Sequence, residues 1–321
     1  MIITKTPFRV SLFGGSTDYE SFYTKNGSLL IGFTMDKYCY ISLRRSPEIF
    51  DYRSKISYSQ VETVDNNSEI KHDGVRGTLE YLGLEDEPLE ITHFADLPAR
   101  TGTGSSSSFV VGLINACSEY KGYGYSCSQL AEKAVEIERF YLDEPGGIQD
   151  QIWAANGGFN SIEIPRNGRF SVRPLPLSSD FIDQFFRRSV LLYTGSQRNS
   201  FELANSNNGS EATKGHIMRL ARDAYTAFAN EDLGEIGKLL KYGWIEKKKI
   251  SDSITNSHVD RLMLNLEMMG MVGGKLLGSG QSGFIFGLCK DEKAKENIKR
   301  KFSKQYIECG LSTQGSRVIQ S

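Results

Sequence analysis

Cysteine, histidine and proline are scarce in this chain of 321 residues, which contains five, four and eight of them respectively. The cysteines are odd in number, scattered and never spaced as C-x-x-C, so the sequence predicts neither a disulfide framework nor a zinc site. With 39% hydrophobic and 24% charged residues, the composition excludes a disordered or fibrous chain. We expect a folded protein of a reducing compartment.

An excess of one charge sign is also absent, because 38 Lys and Arg balance 39 Asp and Glu. Such a chain has no global field that attracts nucleic acid or an anionic membrane, so any phosphate recognition must be local. No apolar run approaches the ~20 residues of a membrane span, and the first residues lack the pattern of a signal peptide. We expect a cytoplasmic protein with neither nucleic acid nor a membrane as a partner.

The length predicts two domains that share a cleft. Because an apolar strand restarts at residue 189, we place the boundary near Ser178 to Asp180 and divide the chain into residues 1–178 and 179–321. The pattern of strands and helices is that of an α+β protein. In the first part it predicts strands within 1–45, a polar excursion over 48–68, helices over 73–82, 106–120, 128–142 and 149–156, and a hairpin around Asn167 and Gly168. In the second part it predicts a strand over 189–195, a long helical region to about 271, a strand over 283–289 and a charged helix over 291–304.

The segment 98–120, PARTGTGSSSSFVVGLINACSEY, runs from a turn rich in glycine and serine directly into a helical pattern. Backbone N–H groups and the positive end of a helix dipole then surround one point, as a polyphosphate requires. The segment has neither the lysine of a Walker A loop nor the pattern G-x-G-x-x-G. A serine-rich helix N-cap joined to a flexible turn is the alternative. The predicted nucleotide-binding residues are Gly102, Thr103, Gly104, Ser105, Ser106 and Ser107.

Two acidic residues, Glu138 and Asp150, point to metal-assisted phosphoryl transfer. Helical steps of three and four residues place Glu138 on the apolar stripe of its helix, so its carboxylate is aimed inward and requires a partner. Asp150 follows two glycines that allow close backbone approach. One acid is predicted to hold Mg²⁺, with the Ser106 hydroxyl in reach, and the other to orient or deprotonate the attacking hydroxyl. Alternatively, Glu138 pairs with a core arginine and Asp150 caps a helix.

Two further segments carry weaker patterns. TPFRVSLFGGSTDY (6–19) places Arg9 in an apolar strand and Asp18 in the turn that follows, where its carboxylate can accept hydrogen bonds from sugar hydroxyls. Alternatively, Arg9 is a charge on an edge strand and Asp18 an ordinary turn residue. GMVGGKLLGSGQSGFIFGLC (270–289) is predicted to form a glycine-rich turn before a strand, with close approach to a ligand or another backbone, or else a mobile loop.

Taken in order, these segments resemble the GHMP kinase superfamily over nearly the whole chain. PARTGTGSSSS resembles its phosphate loop P-x-x-x-G-L-G-S-S-A-A, and GGKLLGSGQSGF resembles its C-terminal glycine motif. RVSLFGGSTDY parallels the galactokinase signature R-V-N-L-I-G-E-H-T-D-Y, but Gly15 and Ser16 replace the Glu-His pair, which argues against galactose. GGIQDQ matches the segment that bears the family's catalytic aspartate.

The resemblance implies a two-domain GHMP kinase fold, with an N-terminal domain of the ribosomal-protein-S5 type, a ferredoxin-like C-terminal domain and the site between them. It implies ATP and Mg²⁺ as cofactors. Asp150 and Arg9 take the catalytic roles, and Glu138 with Ser106 coordinates the metal. The residues predicted to bind the substrate are Gly14, Gly15, Ser16, Asp18, Arg198, Lys249 and Gly280.

Within the superfamily, TPFRVSLFGGSTDY, MDKYCYISL, LLYTGSQRNS and GWIEKKKISDSIT look most like bacterial D-glycero-D-manno-heptose 7-phosphate kinases. This implies phosphorylation of the anomeric hydroxyl of heptose 7-phosphate, on a route to GDP-heptose for capsule or other surface polysaccharide. Because the same segments resemble the kinase part of fucokinases, a free-sugar kinase is the alternative. A catalytically silent relative that binds sugar and nucleotide is the alternative from another class, and it need not keep the catalytic acid.

Overall fold

The computed structural model describes residues 1–144, 146–195 and 209–321, and its strands form two sheets. The first sheet has the order β12-β1-β2-β5-β3-β4, with β6 paired to β2 and β7 to β6, and the second has the order β11-β8-β10-β9. The strands are β1 (Ile2–Phe13), β2 (Ser28–Arg45), β3 (Ser54–Ser57), β4 (Val61–Val64), β5 (Leu89–Ala95), β6 (Phe159–Ile164), β7 (Ser171–Pro174), β8 (Ser189–Tyr193), β9 (Met271–Leu276), β10 (Phe284–Cys289), β11 (Tyr306–Ile307) and β12 (Arg317–Gln320).

The helices confirm the predicted helical segments to within a few residues at each end. They are α1 (Glu20–Asn26), α2 (Asp73–Tyr81), α3 (Ser105–Tyr120), α4 (Cys127–Phe140), α5 (Gln149–Asn156), α6 (Ser179–Arg188), α7 (Glu211–Ala229), α8 (Leu233–Lys248), α9 (Ser257–Met268) and α10 (Glu292–Lys301), with short 3-10 helices at Asn67–Glu69 and Asp252–Ile254. Among the described helices, none is both long enough and apolar enough to cross a bilayer.

The long strand β2 organises the first sheet. One of its edges pairs with β1 along most of its length, and its other edge pairs with β6 over residues 28–33 and with β5 over residues 39–45. Helix α3 packs on β1 and β2, and the Thr4 hydroxyl donates to the Gly112 carbonyl at 2.9 Å. Because α3 is packed on several sides, its residues 107–118 are all buried. The start of α3 is thereby held rigidly over the middle of β1.

The second sheet has the ferredoxin-like arrangement that the resemblance implies. Its four antiparallel strands follow the chain order β-α-β-β-α-β and lie in the spatial order fourth, first, third, second. Phenylalanines from both sheets and the helices between them form one core, with Phe33 of β2 5.6 Å from Phe286 of β10 and Phe159 of β6 5.2 Å from Phe228 of α7, measured between ring centroids. The two parts of the chain therefore share apolar packing.

The structure differs from the predicted elements in several places, and it adds helices α1 and α6 and strands β5 and β11, which the sequence pattern did not predict. The polar excursion contains the hairpin β3–β4, and the glycine-rich turn begins with a strand, β9, whose glycines lie against neighbouring backbone. The division of the chain at residue 178 stays a prediction. The topology crosses it, because a segment of the second part joins the first sheet. Residues 317–320 return to the first sheet and pair with β1. Pairing between segments this far apart is set by tertiary packing, which local periodicity does not record.

Candidate active site

A partly buried ion pair joins the middle of β1 to the first turn of α5. The Arg9 Nε donates to Asp150 Oδ1 at 2.8 Å and its Nη2 to Oδ2 at 2.6 Å. Arg9 is only 6% exposed. Two parallel charge-assisted hydrogen bonds fix both groups in one plane. The alternatives, that Arg9 is a charge on an edge strand and that Asp150 is a simple helix cap, find no support, since β1 lies between β12 and β2 and α5 has no side-chain cap.

The segment predicted to bind nucleotide, residues 102–107 (the phosphate loop), lies directly on this ion pair. Arg9 donates from Nη1 to the Gly102 carbonyl, and its backbone N–H donates to the Thr103 carbonyl at 3.1 Å. Gly104 has φ +74°, and a Cβ on it would lie 3.4 Å from Asp150 Oδ2. The loop therefore brings its backbone into contact with the carboxylate and guanidinium, which requires glycine here.

Helix α3 begins at Ser105 without a side-chain cap, because its N-cap residue is Gly104. The N–H groups of the first three helical residues have no partner within the helix and point out of its end. The Ser106 side chain is exposed, whereas Ser107 is buried. These features suit an anion at the helix start.

The Glu138 carboxyl lies behind the phosphate loop, inside the protein as the helical pattern predicts. It is 6% exposed and accepts a hydrogen bond from Gln151 Nε2 at Oε2, while its Oε1 is buried without a hydrogen-bond partner. Burial raises the pKa of Glu138 to about 8, and the neighbouring Ser107 hydroxyl partly offsets the shift. The serine beside this carboxyl is thus Ser107, and the predicted role of Ser106 as a metal ligand remains a prediction.

The Asp18 carboxylate is fully buried and held by donors from two segments. The Ser16 N–H and Gln149 Nε2 both donate to Oδ1 at 3.1 Å, and the Gln149 N–H donates to Oδ2 at 3.2 Å. The Ser11 hydroxyl donates to Gln149 Oε1 at 2.7 Å, which orients the Gln149 amide toward Asp18. Burial, followed by the charge of Asp150, raises the pKa of Asp18 to about 6.

The other residues predicted to bind substrate have mixed placements. Gly14 and Gly15 lie in the turn before Asp18, and Gly14 has φ +82° and packs against the Leu29 carbonyl. Gly280 has φ +123°, and a Cβ there would lie 2.7 Å from the Ile254 carbonyl oxygen. Lys249 is exposed and its ammonium is 2.5 Å from Glu246 Oε1, so the structure does not bring it to the site. Arg198 lies outside the described residues.

Sequence reasoning missed several polar residues that the structure brings to this centre. Ser11 donates to Gln149, which donates to Asp18, and Lys214 of α7 is buried with its ammonium attracted by Asp18. Lys247 of α8 and Lys275 of β9 lie beneath the phosphate loop and near Arg9. A charged residue inside an otherwise buried strand was the pattern that identified Arg9, and Lys275 has the same pattern.

Comparisons with known proteins agree with the family resemblance of the sequence. A model of the GHMP kinases N terminal domain matches residues 73–158, and a model of the GHMP kinases C terminal region matches residues 224–308. The chain is similar to a D-glycero-alpha-D-manno-heptose 7-phosphate kinase of Campylobacter jejuni, with 29% identity covering 93% of this chain and 92% of that protein. It is also similar to a galactokinase of Pyrococcus furiosus, with 25% identity covering 92% and 90%.

A solved structure with a similar fold is described as a D-glycero-D-manno-heptose 1-phosphate kinase from Bacteroides thetaiotaomicron. It superimposes with a TM-score of 0.81 at 24% identity and covers 100% of this chain and 99% of that one. The likeness extends over both sheets and all the segments that form the site.

Proposed function

Because the chain belongs to the GHMP kinase family and is a sugar kinase that uses ATP, we propose that its acceptor is D-glycero-D-manno-heptose 7-phosphate. The reaction is transfer to the anomeric hydroxyl, which gives the 1,7-bisphosphate for GDP-heptose and surface polysaccharide such as capsule. The observation that carries the chemistry is the Arg9–Asp150 ion pair in contact with the phosphate loop. The similarity to the heptose 7-phosphate kinase of Campylobacter jejuni supports the acceptor.

The ion pair supplies the acid–base and charge functions of phosphoryl transfer. The sugar hydroxyl oxygen bonds to the γ-phosphorus, the bond from that phosphorus to the ADP oxygen breaks, and the hydroxyl proton passes to the Asp150 carboxylate. Asp150 keeps lone pairs for this hydrogen bond while it accepts from Arg9. Arg9 lies between the carboxylate and the Gly102 carbonyl, where its charge stabilises the phosphoryl group in transit.

Asp18 and Gln149 are suited to hold the sugar. A carboxylate presents about four lone pairs, and Asp18 uses three of them for protein donors, which leaves one on Oδ2 for a sugar hydroxyl. The donors from Gln149 place Asp18 next to Asp150, since Gln149 and Asp150 are consecutive in α5. Acceptor and base are therefore positioned by one short helix, which limits the motion between them.

The residues around Glu138 fit a magnesium ion. Its Oε1 is a buried oxygen without a partner, and the Ser107 hydroxyl of the phosphate loop lies nearby. In the described part of the chain no group of three or more His, Cys, Asp or Glu is placed to hold a metal. Such a sparse set suits Mg²⁺, which takes one or two carboxylates and completes its shell with phosphates and water. When bound, it neutralises charge on the phosphates of ATP.

Replacement of Glu138 by Gln is expected to raise the thermal stability of the ligand-free protein and to weaken its use of magnesium. The folded pKa of about 8 lies above the ordinary value of 4.5, so the folded state holds a proton that the unfolded state releases. The free energy of unfolding therefore falls as pH rises from about 4.5 to about 8. Glu138→Gln removes this loss of stability at high pH, because an amide does not ionise. We expect the Tm of the variant at pH 8 in chelator to exceed that of the wild type by about 2–5 °C.

Glu132→Gln serves as the control for this measurement, because Glu132 is exposed on the same helix. The Glu138→Gln protein should also need more Mg²⁺ for half-maximal rate. A lower Tm together with an unchanged magnesium response would show that Glu138 is structural.

The acceptor is tested with a panel of sugars and sugar phosphates. Charge-assisted contacts to a remote phosphate position the reacting hydroxyl, so unphosphorylated heptose should lose about tenfold or more in kcat/KM relative to heptose 7-phosphate. Release of ADP is the measurement. The Arg198→Ala variant should reduce this preference and leave ATP affinity unchanged. Equal turnover of fucose or free heptose would refute the heptose 7-phosphate assignment and leave the sugar kinase assignment intact.

A further inference from the structure

Two lysines lie beneath the phosphate loop, Lys275 buried and Lys247 half-buried, and neither has an acidic partner among the described residues. Lys275 is 9% exposed and donates from Nζ to the Leu12 carbonyl at 3.1 Å. Lys247 donates from Nζ to the carbonyls of Leu276 at 3.0 Å and Gly278 at 2.5 Å. Over residues 1–144, 146–195 and 209–321, no carboxylate lies within ion-pair distance of either ammonium group. A buried cation without a counter-ion is costly unless an anionic ligand completes it.

The lysines form one cluster with Arg9. Burial lowers the pKa of Lys275 to about 8 and that of Lys247 well below its ordinary value, and in both cases the charge of Arg9 adds to the shift. The carboxylate paired with this cluster is Asp150, through Arg9. When all three bases are protonated, the cluster carries two positive charges in excess.

The lysines also have hydrogen-bond donors to spare. An ammonium group has three N–H donors. The named carbonyls use one donor of Lys275 and two of Lys247, which leaves three donors for a ligand.

The position of the cluster beside the phosphate loop indicates that its ligand is a phosphoryl group. Gly278 and Gly102 touch through their backbones, since a Cβ on Gly278 would lie 2.3 Å from the Gly102 Cα. Lys247 therefore contacts the turn after β9 that touches the phosphate loop, and Arg9 donates to the Gly102 carbonyl of that loop. A dianionic phosphoryl group that contacts Arg9 beside Asp150 is also attracted by the positive charges of both lysines.

We propose that Lys247 and Lys275 are catalytic residues that bind the γ-phosphoryl group of ATP and carry its charge during transfer. This inference rests on the proposed function, because it takes the Arg9–Asp150 pair as the reacting centre. The far phosphate of the acceptor is not the group they bind, since the cluster shares Arg9 with the base that receives the hydroxyl proton. When both lysines are protonated in the nucleotide complex, the two excess positive charges match the dianion that moves from ADP to the sugar.

The test compares the binding of Mg²⁺-ADP and Mg²⁺-AMPPNP by calorimetry, which needs no turnover. In the wild type the γ-phosphoryl group should favour AMPPNP. In Lys275→Met and Lys247→Met this preference should fall by about tenfold or more, while the Kd of ADP changes less than threefold. Lys238→Met is the matched control, because Lys238 lies on the same helix as Lys247 and is exposed beside Glu235.

An unchanged AMPPNP preference in both variants would overturn the proposal, even if the chain proves to be a heptose 7-phosphate kinase. So would variants that lose affinity only for the phosphorylated acceptor, since the lysines would then bind that phosphate. If a methionine variant fails to fold, Lys275→Gln and Lys247→Gln provide the same comparison. If no sugar is turned over but the preference falls as expected, the proposed acceptor fails and the γ-phosphoryl contact stands.

Discussion

Asp150→Asn should reduce kcat by roughly 10³-fold or more while the protein stays folded and binds ATP within a few-fold of the wild type. The amide keeps the shape of the side chain but cannot accept the hydroxyl proton. It also removes the negative charge that two donors of Arg9 now contact at 2.8 and 2.6 Å. Steady-state kinetics and nucleotide binding on the same preparation measure both quantities.

The control for this substitution is Asp180→Asn. Asp180 also lies in the first turn of a helix, α6, but its side chain is exposed. It therefore reports any loss that comes from the helix dipole alone. Activity of Asp150→Asn within a few-fold of the wild type would mean that Asp150 is only a structural partner of Arg9.

Gly147→Ala should lower kcat/KM for the sugar by about 10²-fold or more without a change in nucleotide affinity. A Cβ at this position would lie 1.9 Å from Asp18 Oδ2, so one of the two groups must move. Asp18 is fully buried and bound by Ser16 and Gln149, so its displacement breaks the contacts that position it. Initial rates against sugar concentration, with ATP saturating, measure the effect.

The neighbouring glycine provides the matched control for this experiment. A Cβ on Gly146 would meet nothing within 4 Å, and its φ is not in the left-handed region. Gly146→Ala should therefore behave like the wild type. If both variants lose activity equally, the loss reflects stiffening of the segment before α5, and Asp18 is not the group affected.

Local patterns in the sequence predicted the parts of the site that depend on one element at a time. The helical stripe of α4 predicted that Glu138 faces inward, and it is buried. The glycine and serine run before α3 predicted a helix start with unpaired N–H groups, and α3 begins at Ser105 without a side-chain cap. Both follow from helix geometry, which residues a few positions apart determine.

Contacts between distant segments were beyond such patterns. Nothing local indicates that Gln149 bonds Asp18, or that a lysine of β9 lies beneath β1. The helical pattern could, however, have indicated which of the lysines 247–249 faces the site. Leu240 and Trp244 are buried in α8, and the next step of three residues reaches Lys247, whereas Lys249 lies off that stripe. The resemblance to a family identified the segment, and the helical register selects the residue that faces the site.

The pairing of β12 with β1 has a consequence for synthesis of the protein on the ribosome. Strand β1 is made first, but the strand that covers its outer edge, residues 317–320, is made some 300 residues later. At a synthesis rate of about 5–20 residues per second, the outer edge of β1 stays unpaired for roughly 15–60 s before residues 317–320 are made. An unpaired strand edge of this kind attracts other chains, so the nascent protein is most prone to aggregate during this interval. In a chain without β12, the outer edge of β1 would stay unpaired permanently.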